Sequence, residues 1–357
     1  SAAAFHLARS GRRVLGLDRF TPPHSYGSSH GQTRIIREAY FEHPLYVPLV
    51  QRAYELWTEL ERLSGRDLLR ITGGLMIGRP DGVLVSGARR SAEQHQLPYE
   101  LLTSTEVPTR FPALRPADDM VALWEPRAGI LFPEACVGAH LALAKAYGST
   151  LRYDEPVVRW TSDGDGVRVV TGQGEYRAGQ LLLTAGGWIG SLVPELNLPF
   201  SVERQVVYRF APRAHPETFE PVRCPIHLWE TTPQNFFYGF PDLGSGVKVA
   251  RHHAGEIADP DQIRREVSDA ELAAIRELVR QFLPDADGAL RSAEVCTYTN
   301  TPDEHFWIDR HPEQPQVMIA SPCSGHGFKF SSVIGEMLAE LLISGQSRFD
   351  LSLFRNR

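Results

Sequence analysis

Ala2-Ala3-Ala4-Phe5-His6-Leu7-Ala8-Arg9, then Gly11, then Arg13-Val14-Leu15-Gly16-Leu17-Asp18 open this chain. The first part reads as the tail of a helix, stopped by Gly11. The run from Arg13 to Asp18 reads as a buried strand ending in an acid. Helix, glycine, apolar strand and terminal Asp make the second half of a dinucleotide-binding βαβ unit. In such a unit the acid takes the ribose hydroxyls of the adenosine. The same order also fits an ordinary helix–strand pair in any α/β protein. The first half, a strand followed by G-x-G-x-x-G, is not in this sequence.

Working outward, a Pro/Gly/Ser/His-rich loop runs from Thr21 to Gln32, and an amphipathic helix from about Pro44 to Leu63. Helices are also expected at Val83 to Gln96, Ser104 to Arg110 and Glu134 to Tyr147. Short strands are expected at Leu75 to Gly78, Leu151 to Tyr153, Val157 to Trp160, Val167 to Thr171 and Leu181 to Thr184. After Pro199 the texture changes. Val202 to Phe210, Ile226 to Glu230, Phe236 to Phe240 and Val247 to Arg251 suggest a mostly antiparallel sheet. A charged helix from about Asp261 to Phe282 and a last helix from Val333 to Ile343 follow. Strands alternating with helices at both ends, around an antiparallel block, predict an α/β (α+β) fold of two interleaved domains. The expected division is 1–70, 130–198 and 290–357 for a nucleotide-binding domain, with 71–129 and 199–289 for a substrate domain that roofs a pocket.

A chain of 357 residues has room for one large or two ordinary domains. A net charge of -6 without a long basic run argues against nucleic acid and anionic membrane as partners. The apolar run from Leu338 to Ile343 is too short to cross a bilayer. Cys136, Cys224, Cys296 and Cys323 are far apart with no C-x-x-C pair, so neither a zinc site nor a disulfide scaffold is expected. A reduced, cytoplasmic setting fits best.

Chemistry concentrates near the C-terminus. Cys296-Thr297-Tyr298-Thr299-Asn300-Thr301-Pro302-Asp303-Glu304-His305-Phe306 is followed by Ser324-Gly325-His326-Gly327-Phe328-Lys329-Phe330. A thiol, an aromatic hydroxyl, histidines and a lysine between glycines are poor core material and good site material. Two further patterns stand upstream. One is Gly27-Ser28-Ser29-His30-Gly31-Gln32-Thr33-Arg34-Ile35-Ile36-Arg37-Glu38-Ala39-Tyr40. The other is Tyr238-Gly239-Phe240-Pro241 followed by Lys248-Val249-Ala250-Arg251-His252. In order and separation the three resemble the monomeric sarcosine oxidase and N-methyl amino acid oxidase family, within the D-amino acid oxidase-like FAD-dependent oxidoreductases. The resemblance covers essentially the whole chain.

The resemblance implies a Rossmann-like FAD-binding domain of the glutathione reductase type beside an antiparallel-sheet substrate domain. It implies FAD joined by a thioether to Cys296, with Cys323 the competing thiol. Attack on the flavin methyl carbon needs a thiolate, which nearby cations favour. Asp18, His30, Thr33, Arg34, Gly187, Trp188, Tyr298, Gly325, Gly327 and Lys329 are the further implied cofactor contacts. Arg37 and Lys329 would clamp a substrate carboxylate, Arg through both oxygens. Lys248 would be a fixed cation for oxygen reduction, although alternation in Val247-Lys248-Val249 also allows a solvent-facing lysine. His252, Tyr238, His326 and Arg34 would shape the catalytic pocket, and His253 and His305 would be structural. The implied reaction oxidises sarcosine or another N-methyl or cyclic secondary amino acid. O2 becomes H2O2, and a monomer is expected. An N-methyltryptophan or L-pipecolate oxidase keeps the same anchors, and Trp229 is a candidate to line the pocket that would separate these. A different class of reading is a non-catalytic remnant. Because the pyrophosphate turn normally provides backbone N–H groups, the chain is also expected to be a longer flavoprotein shortened by about fifteen to twenty residues, binding FAD poorly as written.

Overall fold

The computed structural model describes residues 1–355 and is a mixed α/β protein. Its largest sheet has eight strands. In order they are Leu290–Asn300, Ser201–Phe210, Val247–His252, Asn235–Phe240, Ile226–Thr232, Gly74–Gly78, Val121–Glu125 and Glu100–Thr103. Neighbours are antiparallel except Ile226–Thr232 beside Gly74–Gly78, which is parallel. Successive strand side chains point to opposite faces, and here the two faces have different jobs. One carries Leu75, Ile77, Tyr208, Trp229, Phe237, Val247 and Val249 into an apolar core. Helix Asp269–Phe282 covers that core with Ile275, Val279 and Phe282. Trp229 is fully buried there, its ring 4.8 Å from Phe282. It belongs to the core and does not line the pocket.

The register brings chemistry to the other face. Cys296 lies opposite Gln205, and Tyr298 opposite Glu203. Lys248 lies opposite both Arg209 and Phe240, and His252 opposite Phe236. Tyr238 falls between Phe236 and Phe240 on the same face. The strand that carries Cys296 was not expected as regular structure, because its threonines and glutamate hide the alternation. Pairing along the whole of Ser201–Phe210 supplies the order that local pattern does not.

Smaller sheets complete the molecule. Leu15–Leu17 pairs in parallel with Thr150–Arg152, and Leu181–Leu183 pairs in parallel with Val317–Ser321. Arg34–Ile36 and Leu69–Ile71 flank Gly129–Leu131. The opening helix, Ala2–Arg9, lies against helices Pro133–Ala146 and Ser331–Ser344. Gly335 permits that approach, since a Cβ there would sit 2.5 Å from the Cβ of Ala2.

One expected element is shorter than its pattern. The helix begins at Asp269, not near Asp261. Ser268 and Glu271 form a capping box, which ends the coil and starts the helix. Residues before it are held instead by side chains, including Arg265 bonded to the carbonyls of Ser25 and Val295. Among the described residues, no helix is long and apolar enough to cross a membrane, and no cluster suits a metal ion.

Candidate active site

The loop before strand Arg34–Ile36 is tied to the sheet face by a lysine. Lys248 is buried, and its Nζ donates to the carbonyls of Gly31 and Thr33 and bonds Thr33 Oγ1, each at 2.9 Å. Its Nζ also lies 4.8 Å from the Phe240 ring. Of the two directions that strand alternation allows, the lysine takes the inward one. Burial, Arg34 and Arg209 lower its pKa, while three oxygens around the head favour the ammonium. Arg34 donates to the carbonyls of Thr33 at 2.8 Å and Ser28 at 2.6 Å. His30 in the same loop is buried and kept neutral, its pKa lowered to about 4 by burial and then by Arg34.

Cys296 is buried on the edge strand Leu290–Asn300, which Ser201–Phe210 separates from the strand of Lys248. Burial pushes its thiol up, and Arg34 and Lys248 pull it back toward the thiolate. Cys323, the competing thiol, sits in the turn before Gly325 and is half-buried.

A second group forms around Tyr40. Arg37 is 2 % exposed, and its guanidinium carbon lies 4.3 Å from the Tyr40 ring and 4.8 Å from the Phe41 ring. It donates two bonds of 2.8 Å to the Glu42 carboxylate and one to the Ala39 carbonyl. Lys329 Nζ donates to Tyr40 Oη at 3.3 Å and to the His326 carbonyl at 2.7 Å. Burial and Arg37 bring its pKa down to about 7, against the pull of Glu42. His326 fixes the tyrosine. Its Nε2 faces the Glu304 carbonyl at 2.9 Å and so carries the proton, leaving Nδ1 to accept from the Tyr40 hydroxyl at 2.5 Å.

Between the two groups stands His252, its Nδ1 3.0 Å from the Tyr298 hydroxyl. Burial, then His253, His326, Lys329 and Arg37, hold it neutral. Tyr238 lies at 6.4 Å, ring to ring. Gly325 has φ +74°, and a Cβ there would fall 2.7 Å from the Tyr298 ring and 2.8 Å from the His252 ring, so only glycine brings this backbone so close. Gly327 has the same role against the Pro322 carbonyl.

The dinucleotide end is more open. Asp18 ends its strand and accepts from the Phe20 backbone at 2.9 Å. Gly187 and Trp188 lie in the turn after Leu181–Leu183. Trp188 Nε1 and Arg19 both donate to Asp261 Oδ1, at 2.8 and 2.7 Å, which joins the two nucleotide-side segments. Sequence reasoning did not single out Tyr40 or Glu42; His253, expected to be structural, pairs with Glu203, its Nδ1 3.2 Å from the carboxylate. A glutamate five residues after Arg37 was visible, but not its direction.

The residues suit a flavin. His30 Nε2 and Gln205 Nε2 are shielded from solvent without a protein partner, as is Asn300 Oδ1. Gln205 and Asn300 share the face of Cys296. Buried polar atoms in this state call for a polar partner, and a flavin supplies donors and acceptors around one flat ring.

A family model described as DAO, FAD dependent oxidoreductase, matches residues 1–341. A protein named monomeric sarcosine oxidase from Streptomyces avermitilis is 46% identical, covering 100% of this chain and 94% of the relative. N-methyl-L-tryptophan oxidase from Salmonella arizonae is 36% identical, over 99% of this chain and 95% of the relative. Among solved structures, NikD, an unusual amino acid oxidase essential for nikkomycin biosynthesis, superposes with a TM-score of 0.85. Its identity is 26%, covering 100% of this chain and 94% of that one.

Proposed function

Because this chain belongs to the DAO family of FAD-dependent oxidoreductases, we propose that it oxidises an N-methyl amino acid, with sarcosine the first substrate to test and O2 the electron acceptor. The observation that carries this reading is the pairing of buried Arg37 and Lys329 on one tyrosine, in electrostatic contact with a neutral His252. FAD, when bound, supplies the hydride acceptor. Cys296, Asp18, His30, Thr33, Arg34, Gly187, Trp188, Tyr298, Gly325, Gly327 and Lys329 are the residues assigned to hold it.

Arg37 and Lys329 receive the substrate carboxylate. A buried anion gains most from charged donors, and Arg adds a fixed fork. Glu42 holds the fork in place until then. His252 and Tyr238 face the amine, and a neutral imidazole there tolerates the uncharged amine that oxidation requires. The tyrosine–histidine chain from Tyr40 to Glu304 keeps Lys329 aimed. Lys248 keeps positive charge beside the loop of residues 31–33, where it favours reduction of O2. The products are an imine, hydrolysed to amine and aldehyde (glycine and formaldehyde from sarcosine), and H2O2.

The cofactor is assigned a thioether to Cys296, the thiol on which Arg34 and Lys248 act. Mass analysis of acid-denatured protein tests this. A gain of one FAD that disappears in Cys296→Ser is expected, and an adduct retained in that variant overturns the assignment. Peroxide release over a panel of N-methyl and cyclic amino acids tests the reaction, and no release with any of them overturns it. The higher identity to a sarcosine oxidase than to an N-methyl-L-tryptophan oxidase supports sarcosine. Four free cysteines support a reduced, cytoplasmic setting. A monomer is the expected state, with the interleaved domain division given above.

A further inference from the structure

Arg37 stands three residues before Tyr40, whose hydroxyl meets Lys329. The two residues between them, Glu38 and Ala39, are buried and lie outside any helix or strand. Their backbone N–H groups therefore need partners from elsewhere in the chain. One side chain supplies both. Glu125 Oε1 accepts from the Glu38 N–H at 2.6 Å, and Oε2 from the Ala39 N–H at 2.9 Å. Glu125 is buried at the end of strand Val121–Glu125, paired with Gly74 in the large sheet. An irregular segment is thus fastened to the sheet next to the guanidinium it carries.

The fastening reaches that guanidinium. Arg37 Nη1 donates to the Ala39 carbonyl at 2.9 Å, and Nη2 holds Glu42. When the fork turns from Glu42 to a substrate carboxylate, the bond to the Ala39 carbonyl keeps it aimed. Ala39 is also the residue whose N–H Glu125 holds. Charge points the same way. Burial works against the Arg37 cation, while Glu42, Tyr40 and Glu125 favour it. A second, fixed anion therefore stays near the buried cation while the first is exchanged. Burial, with Glu38 beside it, pushes the Glu125 pKa to about 7, and its two backbone bonds and Arg37 pull it back toward the carboxylate. The carboxylate offers an oxygen to each N–H, whereas a Gln amide offers one oxygen and one NH2.

We propose that Glu125 is a positioning residue for substrate binding, holding the Glu38–Ala39 backbone and so aiming the Arg37 guanidinium at the substrate carboxylate. The proposal rests on the N-methyl amino acid oxidase reading and adds to it a residue that acts only through the clamp. Groups supported by strands are placed more precisely than groups supported by loops alone. Here a strand end lends its precision to a segment that has no regular structure of its own.

The test measures kcat and KM for sarcosine in the native enzyme, Glu125→Gln, Arg37→Met and the double variant, at a temperature where each is folded. In Glu125→Gln one amide bond is replaced by an NH2 facing an N–H. KM should rise about tenfold, the scale of one hydrogen bond to a charged group. The kcat should change far less, as expected when binding common to substrate and transition state is lost. Because Glu125 acts through Arg37, adding Glu125→Gln to Arg37→Met should lower kcat/KM much less than it does in the native enzyme. Glu125→Asp, with its carboxylate drawn back, should show the same KM-selective loss, and it decides the matter if the glutamine variant does not fold. An unchanged KM, a fall in kcat alone, or equal losses of kcat/KM in the native and Arg37→Met backgrounds overturns the proposal and leaves the oxidase reading standing. A native enzyme that oxidises no N-methyl amino acid overturns the oxidase reading, and this proposal with it.

Discussion

Lys329 shows how a single side chain is tuned by its place. Its ammonium is brought down to a pKa of about 7 by burial and Arg37, with Glu42 opposing. The charged form, present below that pKa, is the one a carboxylate prefers. Substrate affinity should therefore weaken as pH rises through about 7, measured as KM or as Kd in anaerobic titrations. Lys329→Met should bind more weakly throughout and lose that pH step. For Lys248, the expected effect lies in the second half of the cycle. Lys248→Met should slow reoxidation by O2 about 100-fold or more, the scale of one lost charge stabiliser, while anaerobic reduction by sarcosine changes far less. Equal slowing of both half-reactions would remove Lys248 from the oxygen step. Both lysines could be picked out in the sequence by residue type and motif. Their partners could not. Glu42, Tyr40 and the Glu304 carbonyl enter only through side-chain direction, which no local spacing specifies.

Elements were legible where their period was clean. The pattern in residues 202–210, 236–240 and 247–251 marked strands, and strand geometry then assigns each residue to a face. It did not say which face meets the core. The helix expected from Asp261 shows the opposite failure. Charge and apolar spacing ran on upstream, while Ser268 and Glu271 carried the true start signal. Glu271 also accepts from Arg204, tying the helix start to the large sheet. Ser268→Ala should cost about 1 kcal/mol of stability, read as a lower urea midpoint, with peroxide release unchanged at a temperature where both proteins are folded. A loss of turnover without a loss of stability would mean that this cap serves the site more directly.

At the scale of the whole molecule, the large sheet divides labour between a packed face and a reactive one. Trp229 tests that division. It was a candidate for the pocket, yet it fills the core against Phe282 and Phe237. Trp229→Ala should destabilise the protein by about 3–5 kcal/mol, as buried aromatic truncations do, seen in the denaturation midpoint. The surviving enzyme should keep its preference between sarcosine and N-methyl-L-tryptophan. A shift in preference would return Trp229 to the pocket. The sequence by itself determined the kinds of chemistry available: the thiol, the two lysines, the arginine pair, the glycine turns and the α/β alternation. These follow from residue type and from periods of two or 3.6, which are local. Only the tertiary structure decided that Arg37 and Lys329 meet on Tyr40, that Lys248 points inward, and that Trp229 turns to the core. Those facts depend on the register between strands far apart in the chain, and register is settled by burial of a whole face at once.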